Sequence, residues 1–357
     1  MKIAIVTLFG YFNYGNRLQN YALQRVLEKA GGEVCTWNVS RDKHVVKRFF
    51  KKYIEKKNGK YGIRNKRERI REKNFKAFSD RYIKSRIFYS SDGRLPEGSD
   101  RDTDMFVVGS DQVWNPAFWC DSDESAEMYN YFLSFTKKKK IAYAASFGVD
   151  KISECWKRRI SPLLSNFASI SVREAEGKTI LNELNYDACV VLDPTMLLTA
   201  SEWKEIEQSS CDDCGDYILT YFLGHQPLEI IEQIQREAYG QGKTVIDLMD
   251  ESSLYYCMGP ETFVELIDKA AAVYTDSFHA VVFSLLFHTP FVVFQRNHTN
   301  NTNMSSRITT LLNLVGINDG ISDNVFKLHS DFVTAEEKLK EARASALEFL
   351  NMAIEQE

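Results

Sequence analysis

Several features that would assign this 357-residue chain to a protein class are missing from its sequence. No uncharged apolar run approaches the length of a bilayer span, so we expect no transmembrane helix. The first ten residues predict a strand, with one charge and no cleavage site, which is unlike a signal peptide. The net charge of −4 provides no global attraction to nucleic acid. These absences favour a cytoplasmic protein of about two domains with no nucleic-acid partner.

Cysteine is scarce and scattered. The seven cysteines occur singly, apart from the pair Cys211 and Cys214. An odd, scattered set is typical of reduced thiols in the cytoplasm. The C-x-x-C pair could be redox-active or half of a zinc site. No second pair or nearby histidine completes a metal site, so we predict that the protein binds no metal.

Common catalytic signatures are absent as well. The sequence has no G-x-S-x-G, H-E-x-x-H, Walker A or strand-end acidic pair, which removes support for hydrolases, metalloproteases and P-loop proteins. The loop at residues 10–16 follows a predicted strand but lacks G-x-G-x-x-G, so a dinucleotide site is not supported. Gly15 and Asn16 still place N–H groups and an amide at a strand end. They could contact a ligand or form a plain capped turn.

The most informative stretch is a strand–helix–strand unit at residues 270–296. Its elements are predicted at 272–275, 280–287 and 291–294. Asp276 or Ser277 could cap the almost wholly apolar helix, and His279 lies in its first turn. Ligands bind at the carboxyl ends of strands in open α/β sheets, and a helix N-terminus favours anions. His279 is therefore either part of a ligand site or a core histidine held by one hydrogen bond.

The same helix terminus predicts the protonation state of His279. The helix dipole disfavours positive charge at an N-terminus, so we expect the pKa of His279 to be lowered unless an anion is bound.

Further predicted strands also end in polar residues. These strand ends carry Asp111, Ser146, Arg173 and Asp193. Such regularity indicates a parallel sheet with a ligand-binding edge. A second alternation of strands and helices begins at Tyr217, after a polar stretch. We therefore predict an α/β protein with an N-terminal domain at 1–200, a C-terminal domain at 201–334, and a final helix at 335–357 that packs back on the N-terminal domain.

Residues 41–76 are strongly basic. The segment holds sixteen lysines and arginines and only four acidic residues, with interleaved Phe49, Phe50, Tyr53 and Phe75. It could be a solvated helical face or a surface that docks on anionic lipid headgroups. Nucleic-acid binding is a weaker third interpretation, because nothing else in the chain supports it.

Seven ordered motifs give the sequence a family resemblance. They are N-Y-G-N-x-L-Q-x-Y-A-L-Q (13–24), V-G-S-D-Q-V-W-N-P (108–116), A-Y-A-A-S-F-G (142–148), S-V-R-E (171–174), L-D-P-T (192–195), T-D-S-F-H-A (275–280) and S-R-I-x-x-L-L (306–312). Together they resemble the polysaccharide pyruvyl transferase family over nearly the whole chain. The second and sixth motifs are the most specific.

The resemblance implies a GT-B-like fold, in which two Rossmann-like domains with parallel sheets face each other across a cleft. It also implies an enzyme that transfers pyruvate from phosphoenolpyruvate to two hydroxyls of a sugar, forming a cyclic ketal. Such enzymes act in capsule, exopolysaccharide or cell-wall synthesis. Phosphoenolpyruvate would be the donor substrate, and no cofactor would be required.

The resemblance, read with the residue chemistry, suggests roles for individual side chains. His279 would protonate the donor, and Asp111 would be the base on the acceptor side. The donor would contact Arg173, Ser277, Phe278, Arg296 and Arg307. The acceptor would contact Asn13, Asn16, Gln112, Trp114 and Ser146. Some family members have R-L-H before the helix; here Ser277 takes the arginine's place, and Arg296 or Arg307 would substitute for it.

A lipid-linked glycan is the expected acceptor, and the basic segment would bring the protein to the inner face of the plasma membrane. Two alternatives remain open. A nucleotide-sugar glycosyltransferase of the same fold often has a glutamate in its C-terminal domain, yet no glutamate occurs between Glu265 and Glu336. An inactive scaffold in glycan assembly is the second alternative.

Overall fold

The computed structural model describes residues 1–41, 66–119, 127–208, 216–296, 306–318, 320–322 and 326–356. In this part of the chain, two wholly parallel sheets are flanked by helices. No helix among these residues is both long enough and apolar enough to cross a bilayer.

The first sheet has seven strands in the order β3-β2-β1-β4-β5-β6-β7. They are β1 (Lys2–Val6), β2 (Glu33–Arg41), β3 (Ser85–Ser90), β4 (Met105–Val108), β5 (Lys139–Ala145), β6 (Ser169–Val172) and β7 (Cys189–Val190). The associated helices are α1 (Tyr14–Lys29), α2 (Lys66–Tyr82), α3 (Met128–Tyr131), α4 (Glu154–Leu164) and α5 (Ala175–Glu183). The strand order reverses beside β1, so the loops that follow β1 and β4 border a crevice.

The second sheet has five strands in the order β12-β11-β10-β8-β9. They are β8 (Tyr217–Tyr221), β9 (Thr244–Asp247), β10 (Ala272–Thr275), β11 (Phe291–Phe294) and β12 (Ile321–Ser322). The helices are α6 (Ala200–Lys204), which precedes the sheet, α7 (Leu228–Gly240), α8 (Pro260–Lys269), α9 (Phe278–Phe287), α10 (Ser306–Leu314) and α11 (Val333–Glu355). The predicted α/β fold with two parallel sheets is confirmed.

Two local differences from the sequence-based expectation have simple causes. Helix α1 begins at Tyr14, ahead of its first apolar repeat, because the Asn13 side chain caps it by accepting a hydrogen bond from the N–H of Asn16 at 3.2 Å. Strand β3 lies at the edge of the first sheet with several side chains exposed, so it lacks the apolar run that signals a buried strand.

One hydrophobic core extends across both sheets. The ring of Tyr14, at the start of α1, stacks on Phe263 of α8 with centroids 4.5 Å apart. The same tyrosine ring lies 5.6 Å from the ring of Tyr221, the last residue of β8. An edge-to-face aromatic contact therefore joins the N-terminal helix directly to the second sheet.

The final helix, α11, contacts the first half of the chain. Arg343 Nε donates a hydrogen bond to the carbonyl of Met196 at 2.7 Å. Farther along, Lys139 Nζ at the start of β5 donates to the carbonyl of Ile354 at 2.8 Å. The chain thus returns to the first sheet after completing the second.

Candidate active site between the two sheets

Loops after β1, β4, β6 and β7 meet the N-terminus of α9 in one small region. Buried ionisable side chains meet there; they are Asp111, Arg173, Glu174, Asp193, His279 and Arg307. Parallel strands place their carboxyl ends at one edge of a sheet, which explains how residues far apart in sequence converge. The second sheet contributes His279 by directing α9 toward that edge.

Arg173 follows β6 and is held from several sides. Its Nη1 donates a hydrogen bond to Asp193 Oδ2 at 2.7 Å, and its Nη2 lies 3.7 Å from Asp111 Oδ1. The guanidinium carbon sits 4.6 Å from the ring centroid of Phe278. Burial alone would lower the pKa of Arg173, but the nearby carboxylates raise it. Nε and Nη2 are buried and make no hydrogen bond to any described residue.

Asp111 follows β4 in the left-handed backbone region, with φ of 70°. Its Oδ2 accepts a hydrogen bond from Asn16 Nδ2 at 3.1 Å, and its Oδ1 accepts one from the N–H of Gln112 at 2.9 Å. Burial would raise the pKa of this carboxyl group, but the charges of Arg173 and His279 lower it overall. Asp111 is therefore ionised at neutral pH and can accept a proton or a hydroxyl hydrogen bond.

His279 lies in the first turn of α9. Its Nε2 is 3.8 Å from Asp193 Oδ2 and makes no hydrogen bond to a described residue. The other side of the ring packs on Gly15, where a Cβ atom would fall 1.9 Å from His279 Nδ1. Burial lowers the pKa of His279 to about 4, partly opposed by the charge of Asp193. The direction agrees with the prediction, but the main cause is burial.

The residues before α9 do not cap it as expected. Ser277 occupies the N-cap position without a side-chain capping hydrogen bond. Asp276 instead accepts hydrogen bonds from the N–H groups of Leu223 at 2.7 Å and Gly224 at 2.8 Å, which ties the loop after β8 to the loop after β10. Neither Ser277 nor Asp276 therefore caps the first turn of α9, and free N–H groups at a helix N-terminus favour an anion.

Arg296 and Arg307 bring further positive charge to this end of α9. Arg296 Nη2 donates a hydrogen bond to the carbonyl of Asp276 at 2.9 Å, and its Nε lies 3.4 Å from Asp276 Oδ2. Burial, with repulsion from Arg173 and Arg296, lowers the pKa of Arg307 to about 10. The guanidinium is still charged at neutral pH. Arg296 is paired with Asp276, whereas Arg173 and Arg307 lie close enough to His279 to oppose its protonation.

The predicted acceptor residues have different environments. Asn13 is exposed and caps α1, whereas Asn16 is buried and bonds to Asp111. Gln112 is half-buried, and its amide oxygen accepts a hydrogen bond from Asn115. Ser146 has no exposed surface, and its backbone N–H donates to the carbonyl of Asp111 at 3.1 Å.

Trp114, the remaining predicted acceptor residue, packs inside the protein. Its side chain is fully buried, and the indole N–H donates to the carbonyl of Tyr131 at 2.9 Å. The indole also stacks on Phe132 with centroids 5.5 Å apart. Trp114 therefore belongs to a hydrophobic cluster that packs against the first sheet.

Sequence analysis placed Asp193 at the ligand-binding edge and Gly15 in a loop that could contact a ligand, but it gave neither residue a specific role and did not single out Ser110. In the structure, Asp193 lies beside His279 and Arg173, Gly15 packs on His279, and Ser110 donates a hydrogen bond to Asp193. Asp193 had appeared only as one strand end among several. The close approach of Gly15 to His279 had no sequence signal, because the two residues belong to different halves of the chain. The L-D-P-T motif could have pointed to Asp193, since a carboxylate that ends a buried strand requires partners.

The basic segment is only partly described. Residues 42–65 and the C-x-x-C pair at 211–214 lie outside the described residues. In α2, Arg71 Nη1 donates a hydrogen bond to the Tyr14 hydroxyl at 2.9 Å, and Phe75 is fully buried. These two residues belong to the core, so the idea that they face a lipid surface is wrong. No group of histidine, cysteine and acidic side chains in the described ranges could hold a metal ion.

Comparison with known proteins adds a family assignment. A search among curated proteins gave no match. Among solved structures, UDP-GlcNAc 2-epimerase from Methanocaldococcus jannaschii in complex with UDP-GlcNAc and UDP is similar at a TM-score of 0.46 and 12% identity, over 96% of this chain and 99% of that chain. MurG from Acinetobacter baumannii is similar at a TM-score of 0.40 and 10% identity, over 99% and 95%. The family model for polysaccharide pyruvyl transferase matches residues 13–298. The chain belongs to the polysaccharide pyruvyl transferase family.

Proposed function

We propose that this protein transfers pyruvate from phosphoenolpyruvate to a sugar of a bacterial surface-polysaccharide precursor, leaving a cyclic pyruvate ketal. The observation that carries the proposal is the convergence of two arginines, a buried histidine and an ionised aspartate at the edges of both sheets. The family assignment supports pyruvyl transfer to a polysaccharide.

The positive charge suits a donor with two neighbouring anionic groups. Phosphoenolpyruvate carries a phosphate and a carboxylate on adjacent positions. The free Nε and Nη2 of Arg173 can bind one of these groups with two hydrogen bonds. The uncapped N-terminus of α9 and the charge of Arg307 favour the other. Ser277 and Phe278 begin this helix, so we assign them to the donor side.

The reaction requires one proton transfer to the donor and one from each of the two attacking hydroxyls. Protonated His279 would give its proton to the methylene carbon of the donor, which leaves oxocarbenium character on the neighbouring carbon. One sugar hydroxyl attacks that carbon and loses its proton to Asp111. Phosphate then leaves and takes up the proton that Asp111 accepted, and a second hydroxyl attacks the same carbon and returns a proton to His279 to close the ring. The products are the ketal and inorganic phosphate.

The electrostatics of the unliganded site suit this order of events. The pKa of His279 is about 4, so the imidazole is neutral at pH 7 before the donor arrives. The negative charge of bound phosphoenolpyruvate would raise that pKa and generate the acid only when the donor is present. Asp111 keeps its negative charge beside Arg173, which suits a base on the acceptor side.

A phosphate-release assay with phosphoenolpyruvate and a panel of lipid-linked mono- and disaccharides tests the function, with products identified by mass. His279→Gln should nearly abolish release while a thermal melt shows an intact fold, because glutamine is similar in size and can hydrogen-bond. Transfer from a nucleotide sugar instead would support a glycosyltransferase. Inertness toward both donors would indicate a scaffold.

We also propose that the acceptor is lipid-linked and that the basic segment 41–76 contacts anionic lipid at the cytoplasmic face of the membrane. The supporting observation is the set of fifteen cationic residues that the segment holds besides the buried Arg71. Binding to anionic vesicles should weaken steeply with salt, because exposed charges are screened over about 10 Å at 0.1 M. Equal binding to neutral and anionic vesicles would contradict membrane contact.

A further inference from the structure

Asp193 is the most highly connected carboxylate of the site. It follows β7 and has almost no exposed surface. Its Oδ1 accepts hydrogen bonds from the N–H of Thr195 at 3.0 Å and from the Thr195 hydroxyl at 2.7 Å. Its Oδ2 accepts hydrogen bonds from the Ser110 hydroxyl at 2.8 Å and from Arg173 Nη1 at 2.7 Å. Four short hydrogen bonds fix both oxygens in place.

This fixed oxygen also faces the histidine. The distance from Asp193 Oδ2 to His279 Nε2 is 3.8 Å, just beyond hydrogen-bond length. A movement of less than about 1 Å would create a charge-assisted hydrogen bond between them. The two groups come from different halves of the chain, since Asp193 follows the last strand of the first sheet and His279 lies in the first turn of a helix that follows a strand of the second.

Charged side chains from several other elements also act on His279. Arg173, after β6, and Arg307, on α10, oppose its protonation, whereas Asp111, after β4, favours it. Gly15 of α1 packs on the ring and brings no charge. Asp193 provides the largest electrostatic contribution in favour of the protonated form. It remains ionised over the working pH range, because its pKa is about 2 although burial opposes ionisation.

We propose that Asp193 is a positioning residue that aligns the Arg173 guanidinium for the donor and supplies the counter-charge for protonated His279. The assignment rests on the proposed pyruvyl transfer. Asp193 does not touch the reacting atoms. Its hydrogen bond to Nη1 leaves Nε and Nη2 of Arg173 for the donor, and its Oδ2 lies where an imidazolium N–H would need an acceptor.

A merely structural role makes a different prediction. If Asp193 only stabilised the fold, its loss would reduce the amount of active protein equally at all pH values. If it supplies the counter-charge, its loss must change the pH at which the enzyme-donor complex loses its essential proton. The alkaline limb of kcat reports that pKa.

The test compares Asp193→Asn with the wild-type protein in the phosphate-release assay across pH. Asparagine keeps the size of the side chain and removes its charge. We expect the alkaline limb to move to lower pH by about one unit or more, because a nearby opposite charge is lost. Asp193→Glu, which keeps the charge, should restore the position of the limb even if kcat is reduced. Asp187→Asn, an exposed aspartate in the preceding loop, is the matched control and should leave the profile unchanged.

Ser110→Ala provides an independent test if Asp193→Asn does not fold. It removes one hydrogen bond to Oδ2 and keeps the carboxylate, so the negative charge facing His279 is less neutralised. The alkaline limb should then move in the opposite direction, upward by a few tenths of a pH unit. If Asp193→Asn folds and the alkaline limb of its kcat profile does not shift, the assignment of Asp193 is wrong, although the proposed function can still hold. The same conclusion follows if the alkaline limb of Ser110→Ala stays in place or moves to lower pH. A wild-type protein that releases no phosphate with any acceptor overturns the proposed function and, with it, the assignment.

Discussion

Replacing Gly15 with alanine would affect stability in two opposing ways, because Gly15 packs on the ring of His279. Gly15 lies in the first turn of α1, outside the left-handed backbone region, so alanine fits its local conformation. Helix propensity alone would make Gly15→Ala stabilising by up to about 1 kcal/mol. The new methyl group, however, would lie 1.9 Å from His279 Nδ1 and 2.3 Å from Cγ of the same ring.

The steric effect should dominate. Ordinary contact with a Cβ atom begins at 3.4 Å, so the ring and α1 must separate by about 1.5 Å. Overpacking of a filled site costs about 1–3 kcal/mol, which exceeds the propensity gain. We therefore expect a net loss of stability. A displacement of about 1 Å can also reduce an enzymatic rate about 100-fold, and we expect a loss of that order in phosphate release.

Chemical denaturation and phosphate release measure the two effects separately. Gly240→Ala is the matched control, because Gly240 ends α7 and a Cβ there meets nothing within 4 Å. Gly240→Ala should leave the free energy of unfolding unchanged or raise it slightly. Adding Gly15→Ala to a His279→Ala protein should change the free energy of unfolding little, because the imidazole is gone. The coupling energy between the two substitutions should therefore be about 0.5–3 kcal/mol. A stable, fully active Gly15→Ala protein would refute the packing described here.

Three further predictions concern the charged groups. Arg173→Lys keeps the charge but loses the planar fork, so donor or transition-state binding should weaken by about 1.5–3 kcal/mol, and an unchanged turnover rate would exclude Arg173 from donor binding. Phosphoenolpyruvate binding should take up about one proton at pH 7, measured by calorimetry in buffers of different ionisation enthalpy, and His279→Gln should abolish the uptake. The pKa of His279 falls from 6.5 to about 4 on folding, so the folded state resists protonation. Stability should be fully present above pH 6.5 and fall by about 3 kcal/mol as the pH drops to about 4. Urea unfolding of His279→Gln should lack that component of the loss, and an identical acid dependence in both proteins would contradict the buried neutral histidine.

The convergence of strand-end residues could be predicted from the sequence. Asp111, Arg173 and Asp193 each follow a short apolar run, and parallel pairing brings such positions to one edge. The position of His279 at the start of an apolar helix could also be predicted. These predictions depend only on local patterns and on the rule that parallel strands align their ends.

The contacts between the two halves could not be predicted. No local pattern indicates that Gly15 approaches His279, because this contact depends on how α1 packs against the second sheet. The sequence also could not show that Trp114 faces the core and Asp111 the site, since a left-handed residue at 111 changes the direction of the chain there. Strand β3 could not be predicted, because its side chains are mostly exposed and its sequence lacks the apolar pattern of a buried strand.

The core shared by both sheets affects how the chain folds as it leaves the ribosome. Helix α1 is synthesised early, yet the aromatic partners of Tyr14 on the second sheet and α8 are synthesised much later. During that interval the apolar face of α1 lacks its final covering, which exposes hydrophobic surface to neighbouring nascent chains. We therefore expect the N-terminal half made alone to aggregate and the whole chain to unfold in one cooperative step.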